Sequence, residues 1–169
     1  MQRLTIFWWL VALTSVLYLL VIFYAGPPLL ELATVPIPDL KLTGYDLAYF
    51  RTLLAEADPT FPEAYVVFST SWDLAFPLVA SFCFAFGMWT FGLSRSLIGL
   101  ALLTGVADLT ENALAVRLIT GGIDALSVGT IRFANFATMA KWLLYLSSIL
   151  LLFYGFGKSR RKAKEEVTT

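Results

Sequence analysis

The sequence predicts an all-α, polytopic membrane protein: a four-transmembrane-helix bundle with a short amphipathic helix in the first outer loop. Three observations carry that prediction. Hydrophobic residues make up 59% and charged residues 14% of the 169-residue chain, against about 45–50% and about 25% in soluble domains, so a soluble monomer has nowhere to hide its apolar surface. Mean hydropathy is +0.77, and four apolar stretches of roughly 20 residues or more are each long enough to cross a bilayer. The connections between the last three are short, which makes those helices antiparallel neighbours. The length suits one domain. Histidine is absent, which removes the commonest metal ligand, the usual general base and the usual pH switch. No metal or cofactor is expected, and nucleic-acid binding and soluble enzyme chemistry are excluded. Cys83 stands alone in an apolar run and has no partner for an internal disulfide.

The first span, residues 4–24, follows Arg3 and exceeds the about 7–15 apolar residues of a signal peptide. Pro27 and Pro28 come directly after Ala25-Gly26 and disfavour cleavage there, so the helix is expected to be retained. From Pro27 to about Pro62, prolines at 27, 28, 36 and 38 favour extended or turning backbone. Within that segment Thr43 and Asp46 form a capping-box pattern, and Leu47, Phe50, Leu54 and Ala57 recur at helical spacing. This stretch reads either as an amphipathic helix at the membrane surface or as a lid packed on the bundle end. Thr60 and Glu63, with Pro62 between them, form a second capping box and start the second span, 62–91, which contains Asp73 and Pro77. The third span, 97–120, is stopped by Gly121-Gly122, and the fourth covers 130–157. Residues 158–169 carry Lys158, Arg160, Arg161, Lys162 and Lys164 and read as a disordered, basic cytoplasmic tail.

Basic residues fall on one side: Arg3, Arg95 and the tail. The first long loop holds Lys41 and Arg51 against six acids, Glu31, Asp39, Asp46, Glu56, Asp58 and Glu63. The positive-inside rule therefore places both termini in the cytoplasm, in a protein of the cytoplasmic (inner) membrane. Trp8, Trp9 and Trp89 suit an interfacial belt, whereas Trp72 and Trp142 lie deeper and are candidate walls of a polar pocket.

Four ionisable residues fall inside the spans: Asp73, Asp108, Glu111 and Lys141. Each costs about 2.5–3.5 kcal/mol at a helix centre on insertion scales, so each should face the bundle interior and find a partner. Counted from the outer helix ends, their depths come to roughly 16 Å, 18 Å, 14 Å and 16 Å, which places three helices' charges in one layer. Asp108, Glu111 and Asn112 share a face of the third helix. Asn135, Thr138, Lys141, Trp142 and Tyr145 form a stripe on the fourth. On the second, Ser69, Thr70 and Asp73 lie together, and Pro77 removes the amide that would bond the Asp73 carbonyl. Three carboxylates and one ammonium total −2 if all are ionised, so the layer is expected to hold a shared proton unless a cation supplies the balance. Arg117 and Arg132 lie near the outer helix ends and read either as a basic rim above the acids or as interfacial anchors. The plain structural alternative is a Glu111–Lys141 pair acting as interhelical glue.

The ordered set Tyr65, Asp73, Phe76-Pro77, then Asp108 with Glu111-Asn112, then Lys141-Trp142, resembles an uncharacterised family of small bacterial four-helix integral membrane proteins. The likeness covers most of the chain beyond residue 43 and implies the bundle architecture without an activity or ligand. Three functions compete on the residues. The first is a binding or accessory role, with Asp73, Asp108, Glu111, Asn112, Asn135, Thr138, Lys141, Trp142 and Tyr145 lining a pocket for a small amphiphilic or lipid-like ligand. The second is a membrane enzyme of isomerase type, in which a carboxyl group (Asp73, Asp108 or Glu111) is the acid or base on a lipid or isoprenoid substrate and Lys141 stabilises negative charge. The third is proton or ion translocation within a homo-oligomer or with a membrane partner. Membrane lipid is a partner in all three.

Overall fold

The computed structural model describes residues 2–168, and among them every regular element is helical. Four helical stretches, Gln2–Leu32, Phe61–Thr90, Arg95–Gly121 and Val128–Arg161, are long and apolar enough to cross a membrane. They alternate in direction, so the two chain ends and the 91–94 turn share one end of the bundle. There the Phe7 and Phe91 rings lie 5.1 Å apart, and those of Phe91 and Phe156 5.6 Å apart.

The first stretch joins α1 (Gln2–Leu20) and α2 (Gly26–Leu32) through a π-turn at Val21–Ala25. The sequence reading ended this helix at residue 24 and opened the loop at Pro27, but the helix runs on to Leu32. The wide turn lets the Gly26 amide reach the Val21 carbonyl. Pro27 and Pro28 thus begin a new helical run, where a missing amide removes no bond. Phe7 is the one buried residue of α1, so this helix packs at the periphery, mainly against the helix over residues 72–90.

A short 3₁₀ turn, Pro38–Leu40, and helix α3, Leu47–Glu56, follow. Asp46 caps α3 through its own carboxylate, which accepts the Tyr49 amide at 2.9 Å, rather than through Thr43. Likewise Asp58, not Thr60, supplies the side-chain acceptor before the next helix, taking the Thr60 amide at 2.8 Å. Phe50 and Leu53 of α3 are fully buried against Phe61, Tyr65, Leu118 and Ile131, so α3 covers the end of the bundle opposite the termini.

The second stretch is two helices, α4 (Phe61–Thr70) and α5 (Trp72–Thr90), where the sequence suggests one. The break falls at Ser71 (φ −117°, ψ −84°). Thr70 and Ser71 both turn their hydroxyls back onto carbonyls four residues earlier, at 2.7 Å and 2.5 Å, a bond that bends helices. Pro77 adds the loss of a backbone bond one turn further on. Helix α6, Arg95–Gly121, packs against α5, and Gly105 permits the approach, since a Cβ there would stand 2.6 Å from Ser81 Oγ. Helix α7 runs Val128–Thr168, so the tail read as disordered is helical over 158–168. Its Lys, Arg, Ala and Glu residues are strong helix formers, and nothing after Gly157 breaks the run.

Candidate functional site

Lys141 projects from α7 into the bundle and is 4% exposed. Its Nζ lies 2.6 Å from Glu111 Oε2, 3.3 Å from Asp39 Oδ1 and 3.6 Å from Asp108 Oδ1. The helical spacing of three that puts Asp108 and Glu111 on one face of α6 therefore delivers both to one ammonium. Each carboxylate is held from behind. Thr138, one turn before Lys141, donates to Glu111 Oε1 at 3.0 Å. The Tyr145 hydroxyl donates to Asp108 Oδ2 at 2.8 Å, and that of Tyr65 to Asp39 Oδ2 at 2.7 Å. Tyr45 OH meets Thr138 Oγ1 at 2.9 Å and extends the network into the loop.

Asp39 was counted among the loop acids in the sequence, yet it belongs to this centre. The signal for it is local: Val35, Ile37 and Leu40 with two prolines flank a single acid, a composition that suits buried backbone better than a solvated loop. Ile37, Pro38 and Asp39 are all buried. Burial pushes the Asp39 carboxyl up, but the Lys141 charge and the Tyr65 hydrogen bond outweigh it and hold the group below the usual carboxylate range. Burial likewise pushes the Tyr45 hydroxyl up, so it stays a neutral donor.

Asp73 sits beside the cluster rather than in it, with no ion pair to Lys141 within 4 Å. Its backbone carbonyl, freed by Pro77, is taken by Asn112 Nδ2 at 2.9 Å. That bond ties α5 to α6. Asp73 Oδ2, Asn112 Oδ1 and Asp108 Oδ1 are buried without a hydrogen-bond partner among the described residues, as is Ser69 Oγ. With Asp39, Asp73, Asp108 and Glu111 set against Lys141, the buried layer carries −3 if all are ionised, one more negative charge than the sequence reading assigned.

Two expectations fail. Arg117 and Arg132 are exposed and form no ion pair among the described residues, so they make no rim over the acids; their positions on α6 and α7 point them away from the packed faces. Trp72 packs on Tyr24 of the first stretch, ring centroids 5.9 Å apart, and faces away from the site. Trp142 stays near it, its ring 5.7 Å from Lys141 Nζ. Asn135 acts on the loop: its Oδ1 accepts the Tyr45 amide at 3.0 Å.

That last bond requires Gly44. Its φ is +80°, and an added Cβ would stand 2.5 Å from Asn135 Oδ1. Gly44→Ala is therefore expected to destabilise the protein by about 1–3 kcal/mol, combining left-handed strain with loss of the Tyr45–Asn135 bond. Thermal unfolding in detergent, with hydrogen exchange at residues 41–46, checks this; a variant as stable and as protected as wild type contradicts it.

The site has an apolar neighbour. A groove of about 310 Å³ runs between α1, α5 and α7, lined by Val11, Cys83, Phe84, Ile149 and Leu152 among others, and reaches Phe7, Phe91 and Phe156 at the terminal end. At its other end the Phe84 ring packs edge-on against Tyr145 at 5.9 Å, and Phe76 stacks on the same tyrosine at 6.1 Å. Tyr145 thus stands between the groove and Asp108. Comparison of the chain with protein-family models, with curated proteins and with solved structures found no match.

Proposed function

We propose that this protein is an integral protein of the cytoplasmic membrane, with both termini in the cytoplasm and α3 at the outer face, and that it binds a small amphiphilic or lipid-like molecule. The observation that carries the binding reading is the continuity of groove and charge centre: Phe84 lines the apolar groove and touches Tyr145, whose hydroxyl is on Asp108. A cavity of about 310 Å³ is at the small end of the range for ligand sites, which pair mostly apolar walls with a few convergent polar groups. From Ser15 to Phe7 the groove is about 12 Å long at the helical rise, a fit for an alkyl chain. The basic residues Arg3 and Arg95 at the terminal end support the orientation. Kinship with the small four-helix bacterial membrane proteins belongs to the same proposal.

Translocation has less support. Towards the terminal end Thr104 pairs with Ser148 at 3.2 Å and Ser81 with the Leu78 carbonyl at 3.1 Å. The enzyme reading, a carboxyl acid or base on a lipid or isoprenoid substrate, has no observation of its own beyond those the binding reading already uses, and binding alone accounts for the groove.

The test is equilibrium binding of labelled dodecan-1-ol to the protein in nanodiscs of neutral lipid, with empty nanodiscs as background. Saturable binding to wild type that is lost in Ile149→Trp, where the larger side chain fills the groove, supports the reading. Binding that does not saturate, or that Ile149→Trp leaves unchanged, overturns it.

A further inference from the structure

We infer that the polar end of the bound amphiphile is a primary ammonium group, received by Asp73, Asp108 and Asn112; the inference rests on the amphiphile-binding reading and adds the chemistry of the head. The orphaned atoms decide it. Asp73 Oδ2, Asp108 Oδ1 and Asn112 Oδ1 are all acceptors, in residues 8%, 3% and 5% exposed, and none receives a hydrogen bond among the described residues. A buried polar atom without a partner is rare in native proteins and calls for an explanation.

The chain's own N–H donors nearby are spent, and the Ser69 hydroxyl, itself without a partner, supplies at most one donor for three acceptors. The Asn112 amide nitrogen is already on the Asp73 carbonyl. Lys141 is committed to Glu111 and Asp39 and stands 3.6 Å from Asp108 Oδ1, too far for a good bond. Arg117 and Arg132 face outward. The three acceptors are neighbours: Asp108 and Asn112 are one turn apart on one face of α6, and Asn112 touches Asp73.

The ligand's character follows from what is missing. Three unpartnered acceptors, in a layer that carries −3 if all four carboxyls are ionised, call for donors and positive charge together. A primary ammonium brings three N–H donors, one positive charge and no acceptor. A hydroxyl brings one donor and no charge, and a phosphate or carboxylate would add acceptors and negative charge where both are already in surplus. The three carboxylates that do converge, Asp39, Asp108 and Glu111, do so on the Lys141 ammonium, and among the described residues no group of three acidic, cysteine or histidine side chains is arranged to hold a metal ion. Of the groove's walls Phe84 comes nearest the acids: its ring packs on the half-buried Tyr145, which also stacks on Phe76 and holds Asp108, so the proposed way in is past Tyr145. An alkyl tail in that groove leaves the ammonium at Tyr145, beside Asp108.

Binding of dodecylamine, dodecan-1-ol and dodecyltrimethylammonium to the protein in neutral nanodiscs at pH 7 tests the inference. Charge-assisted hydrogen bonds should make dodecylamine bind about 10- to 100-fold more tightly than dodecan-1-ol. Dodecyltrimethylammonium has the charge without N–H donors and should lose most of that advantage. Asp73→Asn should remove most of the amine preference, read as the ratio of dodecylamine to dodecan-1-ol affinity. Equal binding of amine and alcohol, equal binding of amine and trimethylammonium, or an undiminished preference in Asp73→Asn each overturns the ammonium assignment while the amphiphile reading stands. Failure of all three probes to bind overturns that reading itself. If Asp73→Asn does not fold, the comparison of amine with trimethylammonium on wild type still decides.

Discussion

Lys141→Met is expected to be the most damaging single substitution in the bundle, lowering stability by about 3–5 kcal/mol, as removal of one partner from a buried ion pair does. Methionine keeps the apolar stem of lysine and deletes the ammonium, with its charge and its hydrogen bonds to Glu111 and Asp39. What it leaves is severe: Asp39, Asp108 and Glu111, all buried, converge on a point with no cation. For a chain of this size each kcal/mol shifts the melting temperature by about 2–4 °C, so thermal unfolding in detergent resolves the loss. Glu111→Gln is the informative contrast. It removes one unit from a layer that carries −3 if all are ionised, and its single carbonyl oxygen can accept from Lys141 or from Thr138 but not from both. Its melting temperature is expected to equal or exceed that of wild type. If both variants fall equally, Glu111 and Lys141 are a balanced pair that fixes helix register, and the charge excess behind the proposed site is not there.

The four long helices were legible because apolar length is a property of local composition. Asp108, Glu111 and Lys141 were legible as one centre because depth and helical face can be counted along two straight helices. The Asp73 carbonyl was legible too, since a proline four residues on removes a known amide. Asp39 was not: it lies 102 residues from Lys141 in sequence, and only the folding of the loop over the bundle end brings them together. Counting charge by segment placed it with the solvated acids of the loop, although its apolar neighbours argued for burial. The break at Ser71 was hidden for a different reason. Thr70 and Ser71 are tolerated in helices, and whether their hydroxyls turn back onto the preceding turn is decided by packing. Of the two readings of Arg117 and Arg132, the rim needed a face as well as a depth; both side chains are exposed, which leaves the interfacial-anchor reading. The orphaned oxygens of Asp73, Asp108 and Asn112 depend on which donors are already spent, which no sequence pattern records.

Asp39→Asn should unfasten the loop without unfolding the bundle. Asp39 is where the segment between α2 and α3 is pinned, through Lys141 at 3.3 Å and Tyr65 at 2.7 Å. Asparagine keeps the shape but gives up the charge, and two carboxylates remain on Lys141, so the expected cost is about 1–3 kcal/mol, the range for a weakened buried hydrogen bond to a charged group. Lys41, two residues on, is a built-in reporter: trypsin should cut after it faster in Asp39→Asn than in wild type at neutral pH, with the rest of the bundle protected. The acid response gives a second readout. The Asp39 carboxyl is held below its ordinary value in the folded state, so its contribution is fully present above the unfolded value of about 3.9 and is lost as pH falls through the lower, folded value. Hydrogen exchange in residues 33–46 of wild type should stay level from neutral pH to about pH 4 and rise only below it, after correction for intrinsic rates. Lys141, Glu111, Asp108 and Tyr65 face the same carboxyl, so the step is expected to be broad. Asp39→Asn should begin with faster exchange and lack its own part of that step. Cleavage at Lys41 unchanged by the substitution would mean that the Tyr45 bonds to Asn135 and Thr138 and the buried Phe50 and Leu53 hold the loop without it, and that Asp39 serves the charge of Lys141 rather than the closure of the bundle.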